Sequence, residues 1–265
     1  MQTPTIQTSY KNAIQHFNKT INELPTYPQA YNHRGIAYGN IGEVDLAIQD
    51  FNKAIRLKEN YAEAYSNRGG AYRIKGEYER ALKDCNRAIE LDPNLPEAYN
   101  NRGIVYKLKG EIEQAIEDYK TAITLDPDFA YAYYNRGIIY YERQELDRAM
   151  KEYNKALELR PDLIHPYNNR GNIYRKKGEY EQAIKDYTVA IERNPELAVA
   201  SYNRGMTWLI LKEWEKAKTD ITDAIELKDD IVIENFGKDY EGIEDFEQKH
   251  QVKLPDGIVT LLNQT

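Results

Sequence analysis

Apolar residues fall along this chain in paired blocks of helical spacing, and the pair recurs every 34 positions. In residues 96–129 the first block presents Ala98, Tyr99, Gly103 and Tyr106, and the second presents Ile112, Ala115, Ile116, Tyr119, Ala122 and Ile123. Steps of three and four residues predict two amphipathic helices. Between them stands Lys109-Gly110, where glycine suits the end of a helix. Asp126-Pro127 closes the second block, because proline cannot continue a helix; Pro93, Pro161 and Pro195 share this place.

The register is marked by Asn-Arg-Gly at Asn67, Asn101, Asn135, Asn169 and Asn203, with His33-Arg34-Gly35 as a sixth copy. A period of this length signals stacked repeats, each burying its core against its neighbours. The units run 28–61, 62–95, 96–129, 130–163, 164–197 and 198–231. Residues 1–27 precede them: a polar stretch over 1–8, then a half unit from Ser9, a candidate N-cap, predicting one capping helix. Residues 232–265 leave the register and predict a helical cap, with a helix near 240–250, a turn at 252–255 and a short helix near 256–263.

Two residue sets repeat strictly enough to imply packing. Gly35 and its equivalents, with Ala47, Ala81, Ala115, Ala149, Ala183 and Ala217, let helix axes approach, and aromatics such as Tyr106 and Tyr119 fill the space beside them. Each arginine of the Asn-Arg-Gly phrase has an acid 16 residues on: Asp50, Asp84, Asp118, Glu152, Asp186 and Asp220. Pairing to the preceding unit would put Arg34 against His16, so same-unit ion pairs are expected. Cys85 stands where Phe51 and Tyr119 stand in other units, which predicts a packed thiol.

An aromatic, small, aromatic, alanine, aromatic, alanine, proline order over 34 residues resembles the tetratricopeptide repeat (TPR) family. Arginine in place of the usual leucine before the first glycine is similar to a variant common in bacteria and archaea. The resemblance implies an all-α, right-handed α-solenoid of helix-turn-helix units with N- and C-terminal capping helices. It also implies that the first helices line a concave groove that holds extended peptides. Carried over by position, the groove has a row of asparagines, Asn67, Asn101, Asn135, Asn169 and Asn203, similar to the asparagine ladder of O-GlcNAc transferase. A carboxamide both donates and accepts, so such a row can bind a peptide backbone; the alternative is that it serves contacts between helices. On the same face Tyr131, Tyr134, Ile138 and Tyr141 form an aromatic stripe, and His165, Asn168 and Arg175 follow in the next unit. In unit six Tyr202, Met206, Leu209 and Ile210 are unusually apolar, to be covered by the C-terminal segment or by a partner. The lysine–arginine clamp by which some members hold chaperone tails is missing.

Charge and composition narrow the function. The formal net charge is −7, of which residues 232–265 carry −4, leaving a repeat body at −3. So nearly neutral a body argues against a nucleic-acid partner. With one cysteine there is no intrachain disulfide, and no stretch approaches a membrane span or a signal peptide, so a cytoplasmic protein without membrane attachment is expected. The histidines His16, His33, His165 and His250 lack metal-ligand spacing, and no phosphate-binding glycine loop is present. We therefore expect no enzyme, no cofactor and no metal. The expectation is an adaptor or scaffold that binds a peptide segment or helix of a partner in the groove. The alternatives are a self-assembling homo-oligomeric scaffold or a regulatory subunit of a separately encoded enzyme.

Overall fold

The computed structural model describes residues 6–228 and 230–263, and these residues form sixteen helices and no strand. α1 (Ile6–Glu23) precedes a series of helices of alternating role: α2 (Pro28–Asn40) and α3 (Val44–Leu57), α4 (Ala62–Ile74) and α5 (Tyr78–Leu91), α6 (Pro96–Leu108) and α7 (Ile112–Leu125), α8 (Ala130–Glu142) and α9 (Leu146–Leu159), α10 (His165–Lys176) and α11 (Tyr180–Arg193), α12 (Ala198–Ile210) and α13 (Trp214–Leu227). Three short helices end the chain: α14 (Ile231–Asp239), α15 (Ile243–His250) and α16 (Asp256–Asn263). The protein is all-α, built of stacked helix pairs. It divides inside α8, after Ile139, into two compact units.

In the first unit α1 packs on α2, α2 on α3, α3 on α4, and so on to α7. α1 already includes Ile6–Thr8 and runs through Ser9, so Ser9 is not the N-cap. The polar stretch expected over 1–8 is thus helical from Ile6, and its residues 1–5 lie outside the described residues. Each turn within a pair closes the same way. At the end of α6, Gly110 N donates to Lys107 O at 3.0 Å and Glu111 N to Tyr106 O at 2.8 Å, with Gly110 left-handed at φ 81°. This is the double hydrogen bond that satisfies the last carbonyls of a helix. α5, α7 and α11 end through an extended residue before proline, at Asp92, Asp126 and Asn194, and Asp92 Oδ1 accepts from Asn94 N at 2.9 Å.

The small residues set the spacing inside a pair. A Cβ added at Gly103 would stand 2.7 Å from Tyr119 Cε1, and at Gly69 2.8 Å from Cys85 Sγ. Ala81 and Ala115 are wholly buried, as is Cys85, whose thiol burial pushes up to about 12, so it is a packed group with no thiolate character. The hydroxyls of Tyr31, Tyr99 and Tyr133 donate to the carbonyls of Pro25, Pro93 and Pro127 at 3.0–3.2 Å, tying each first helix to the loop that leads into it.

The second unit stacks α9 on α10, α10 on α11, α11 on α12 and α12 on α13. The C-terminal segment packs on the last pair through α14 and α16. Tyr202, Met206 and Leu209 are buried there together with Phe236, Tyr240, Phe246, Leu254, Ile258 and Leu262. The apolar stretch of unit six is thus covered by the chain's own tail. α14 begins directly after α13, so the tail holds one helix more than its sequence pattern showed.

Candidate interaction site

The arginines of the Asn-Arg-Gly phrase are committed to structure. Arg102 grips Asp118 with two parallel bonds, Nε to Oδ2 at 2.8 Å and Nη2 to Oδ1 at 2.7 Å. Arg34–Asp50, Arg68–Asp84, Arg170–Asp186 and Arg204–Asp220 repeat this geometry. The paired carboxylate raises the Arg102 guanidinium pKa, while burial raises that of the Asp118 carboxyl against the opposing pull of Arg102. Sequence spacing missed the third contact: each Nη1 also reaches back 16 residues, from Arg34 to Asn18, Arg68 to Asn52, Arg102 to Asn86, Arg170 to Asn154 and Arg204 to the Thr188 hydroxyl. One side chain therefore joins three helices. A second ladder was also unseen in the sequence. Lys75, Lys109 and Lys177 pair with Asp45, Glu79 and Asp147 of the preceding repeat at 2.5–2.7 Å.

Four of the five asparagines of the row, Asn67, Asn101, Asn135 and Asn203, make contacts between neighbouring first helices. Asn67 Nδ2 donates to Asn32 Oδ1 at 3.0 Å, Asn101 Nδ2 to Ser66 Oγ at 3.0 Å, and Asn135 Nδ2 to Asn100 Oδ1 at 2.9 Å. In the second unit Asn203 Nδ2 donates to Asn168 Oδ1 at 3.0 Å, and Asn168 Nδ2 to Asn169 Oδ1 at 3.2 Å. The acceptors Asn32, Ser66, Asn100 and Asn168 are buried, and so is Asn203. Asn67, Asn101, Asn135 and Asn169 are half-buried, with an edge at the surface.

Tyr131 is exposed, and Tyr134 and Ile138 are half-buried, all on α8 within the first unit. Half-buried Tyr141 begins the second unit, with Lys176 Nζ 4.7 Å from its ring centre and its phenol pKa raised by burial. His165 is exposed at the start of α10. Arg175 is engaged by the tail: its Nη2 donates to Asp239 Oδ2 at 3.1 Å, and its side chain is 11% exposed. Burial raises the Tyr202 phenol strongly and leaves its hydroxyl without a hydrogen-bond partner. The Arg175 guanidinium is therefore occupied by the end of α14, while His165 and Lys176 on the same helix stay exposed.

Among the described residues no three His, Cys, Asp or Glu side chains are grouped to hold a metal ion, and no helix is long and apolar enough to cross a membrane. His16 and His33 instead flank Phe17, at ring-centre distances of 5.3 and 5.5 Å.

Residues 69–110, 105–142 and 137–177 match the family model described as TPR repeat, and residues 28–61 and 166–197 match that described as tetratricopeptide repeat. No curated protein matches. Among solved structures, a chain of the APC/C hetero-tetramer Cut9-Hcn1 is similar with a TM-score of 0.73 and 18% identity over 83% of this chain. This protein spans only 43% of that longer chain. The pilF protein of Pseudomonas aeruginosa is similar with a TM-score of 0.66 and 17% identity, over 84% of this chain and 96% of its own. A thermophilic TPR protein of Thermus thermophilus gives 0.60 and 22%, over 69% and 100%. At these identities the likeness is one of fold. The 34-residue register, the stacked helix pairs and the matched family models together place the chain in the tetratricopeptide repeat family, whose members bind other proteins.

Proposed function

We propose that this protein is an adaptor that binds a peptide segment or helix of a partner protein along its first helices. The observation that carries this reading is the exposure of one large apolar side chain on each of four successive first helices. Ile36 on α2, Ile74 on α4, Leu108 on α6 and Tyr131 on α8 are 36–56% exposed, all within the first compact unit. Laid onto one repeat they are spaced by seven and four residues, so they fall on a single helical stripe. The half-buried edges of Asn67, Asn101 and Asn135 and the side chains of Tyr134 and Ile138 adjoin that stripe in register. Apolar anchors beside carboxamides suit a bound polypeptide, which needs both packing and backbone hydrogen bonds. Within the second unit, taken by itself, Tyr141, His165, Asn169 and Lys176 are half-buried or exposed on first helices, and the tail engages Arg175.

A photo-crosslinking side chain installed at Leu108 or Tyr131 tests this in cells. Adducts with a second protein are expected from both positions and not from exposed Leu46 on α3. Adducts of twice the chain's mass would instead favour self-assembly, and silence at both positions would end the proposal.

A further inference from the structure

Arg73 and Arg175 hold the same place in the repeat, three units apart, near the ends of α4 and α10. Both have a half-buried side chain, and both have an Nε that is buried without a hydrogen-bond partner. Each guanidinium is thus held by packing, with its terminal nitrogens left for another group. At Arg175 that group is present, because Asp239 at the end of α14 accepts from Nη2, and Tyr240 follows it into the apolar core of the tail. At Arg73 it is not. Burial pushes the Arg73 guanidinium pKa down, and the groups that face it, Tyr119, Cys85 and Tyr78, include no carboxylate.

A half-buried cation without a counter-charge is costly to the protein alone and favourable to a ligand that supplies one. Three further features suit such a ligand. Lys107 stands at the same repeat position one unit on, adding a second positive charge to the stripe. Gly70, one turn before Arg73, leaves open surface: a Cβ there would have only Asn101 within 4 Å, at 3.8 Å. Ile74 lies exposed beside them.

We propose that Arg73 receives a carboxylate, an Asp or Glu with an aromatic neighbour, from the bound segment of a partner protein, as Arg175 receives Asp239 from the chain's own tail. This rests on the peptide-binding reading above and assigns the chemistry of its ligand: an acidic, aromatic-bearing segment.

The test uses the full chain and a fluorescent peptide with the sequence of residues 231–246, the segment that places Asp239 on Arg175. Its binding is followed by anisotropy. The wild type is expected to bind it and Arg73→Gln to bind about tenfold more weakly, as for loss of a hydrogen bond to a charged group, with an unchanged melting temperature. A peptide carrying Asn in place of Asp239 should bind the wild type as weakly, and Arg73→Gln should weaken it no further. Arg73→Lys should recover part of the loss. Equal affinity of wild type and Arg73→Gln overturns the proposal. So does a loss that follows Arg175→Gln instead, which would mean exchange with the resident tail. If Arg73→Gln binds normally while Tyr131→Ala with Tyr134→Ala does not, acid capture fails and the groove reading stands. If the wild type binds no peptide, acid capture fails and the Leu108 and Tyr131 adducts decide the groove reading on their own.

Discussion

The turn inside each helix pair needs a residue with positive φ. Glycine occupies it at Gly42, Gly76, Gly110 and Gly178, but Gln144 and Lys212 hold it at φ 60° and 62°. The backbone hydrogen bonds are kept at both: Glu145 N reaches Tyr140 O at 2.9 Å and Glu213 N reaches Trp208 O at 3.0 Å. A side chain there therefore bears the left-handed strain of about 1–2 kcal/mol without changing the geometry. Gln144→Gly and Lys212→Gly should each stabilise the protein by about 1 kcal/mol, after allowing for the greater unfolded-state entropy of glycine. A denaturant midpoint that rises with unchanged slope would show it; a midpoint that falls would mean the turn is not strained. The glycine rule was legible in the sequence, and so were its two exceptions. That the exceptions adopt the same turn was not, because the decision lies in hydrogen bonds between backbone groups.

Between elements, the arginine forks are the strongest polar link. Arg102 is bonded to Asp118 of its own pair and to Asn86 of the preceding one, with Asp118 only 7% exposed. Removing Asp118 would strand a half-buried guanidinium, so Asp118→Ala should cost about 3 kcal/mol. In a double-mutant cycle with Arg102→Ala, a coupling of at least about 1 kcal/mol is expected from urea unfolding; additive losses would show that the pair is an incidental neighbour. The constant 16-residue offset from arginine to acid is what made this link readable, since a strict repeat converts one contact into a pattern. The back-reach to Asn18, Asn52 and Asn86 is just as regular at 16 residues, yet the offset alone does not say that one guanidinium spans both neighbours. Only the stacking of α3, α4 and α5 brings the two partners to one fork.

At the scale of the whole molecule, the tail changes what the repeats offer. It buries the apolar stretch of α12 and places Asp239 on Arg175, so the second unit presents less open surface than its repeats alone would give. His250 sits in this cap, with Nε2 2.9 Å from the Tyr240 hydroxyl and its ring against Phe246. Burial, then the nearby charges of Lys249 and Arg175, lower its pKa below the ordinary 6.5, against the opposing pull of Asp245. Its unfolded form therefore binds protons more readily than its folded form. The cap keeps its full stability above pH 6.5 and loses part of it as the pH falls through the window below that value. Amides of residues 231–263 should exchange faster at pH 5.5 than at pH 7.5 after correction for intrinsic rates, and His250→Gln should remove most of the difference. Glu247, held down by Lys253 Nζ and Leu254 N, acts in the same direction only below about 4.5.

What the sequence determined by itself is the repeating part: helix pairs, their turns, the buried small residues and the arginine–acid ladder. These follow from local spacing multiplied by copies, so each position is read several times. The tertiary structure decided what happens once per chain. It turned the amide nitrogens of Asn67, Asn101, Asn135 and Asn203 toward the preceding first helices, and it folded an additional helix, α14, out of residues that carry no period. It also set one arginine of a matched pair against a carboxylate while leaving its counterpart, Arg73, without one. The physical reason is that contacts between distant segments depend on which faces meet, and a pattern with one copy offers no repetition from which to read the meeting.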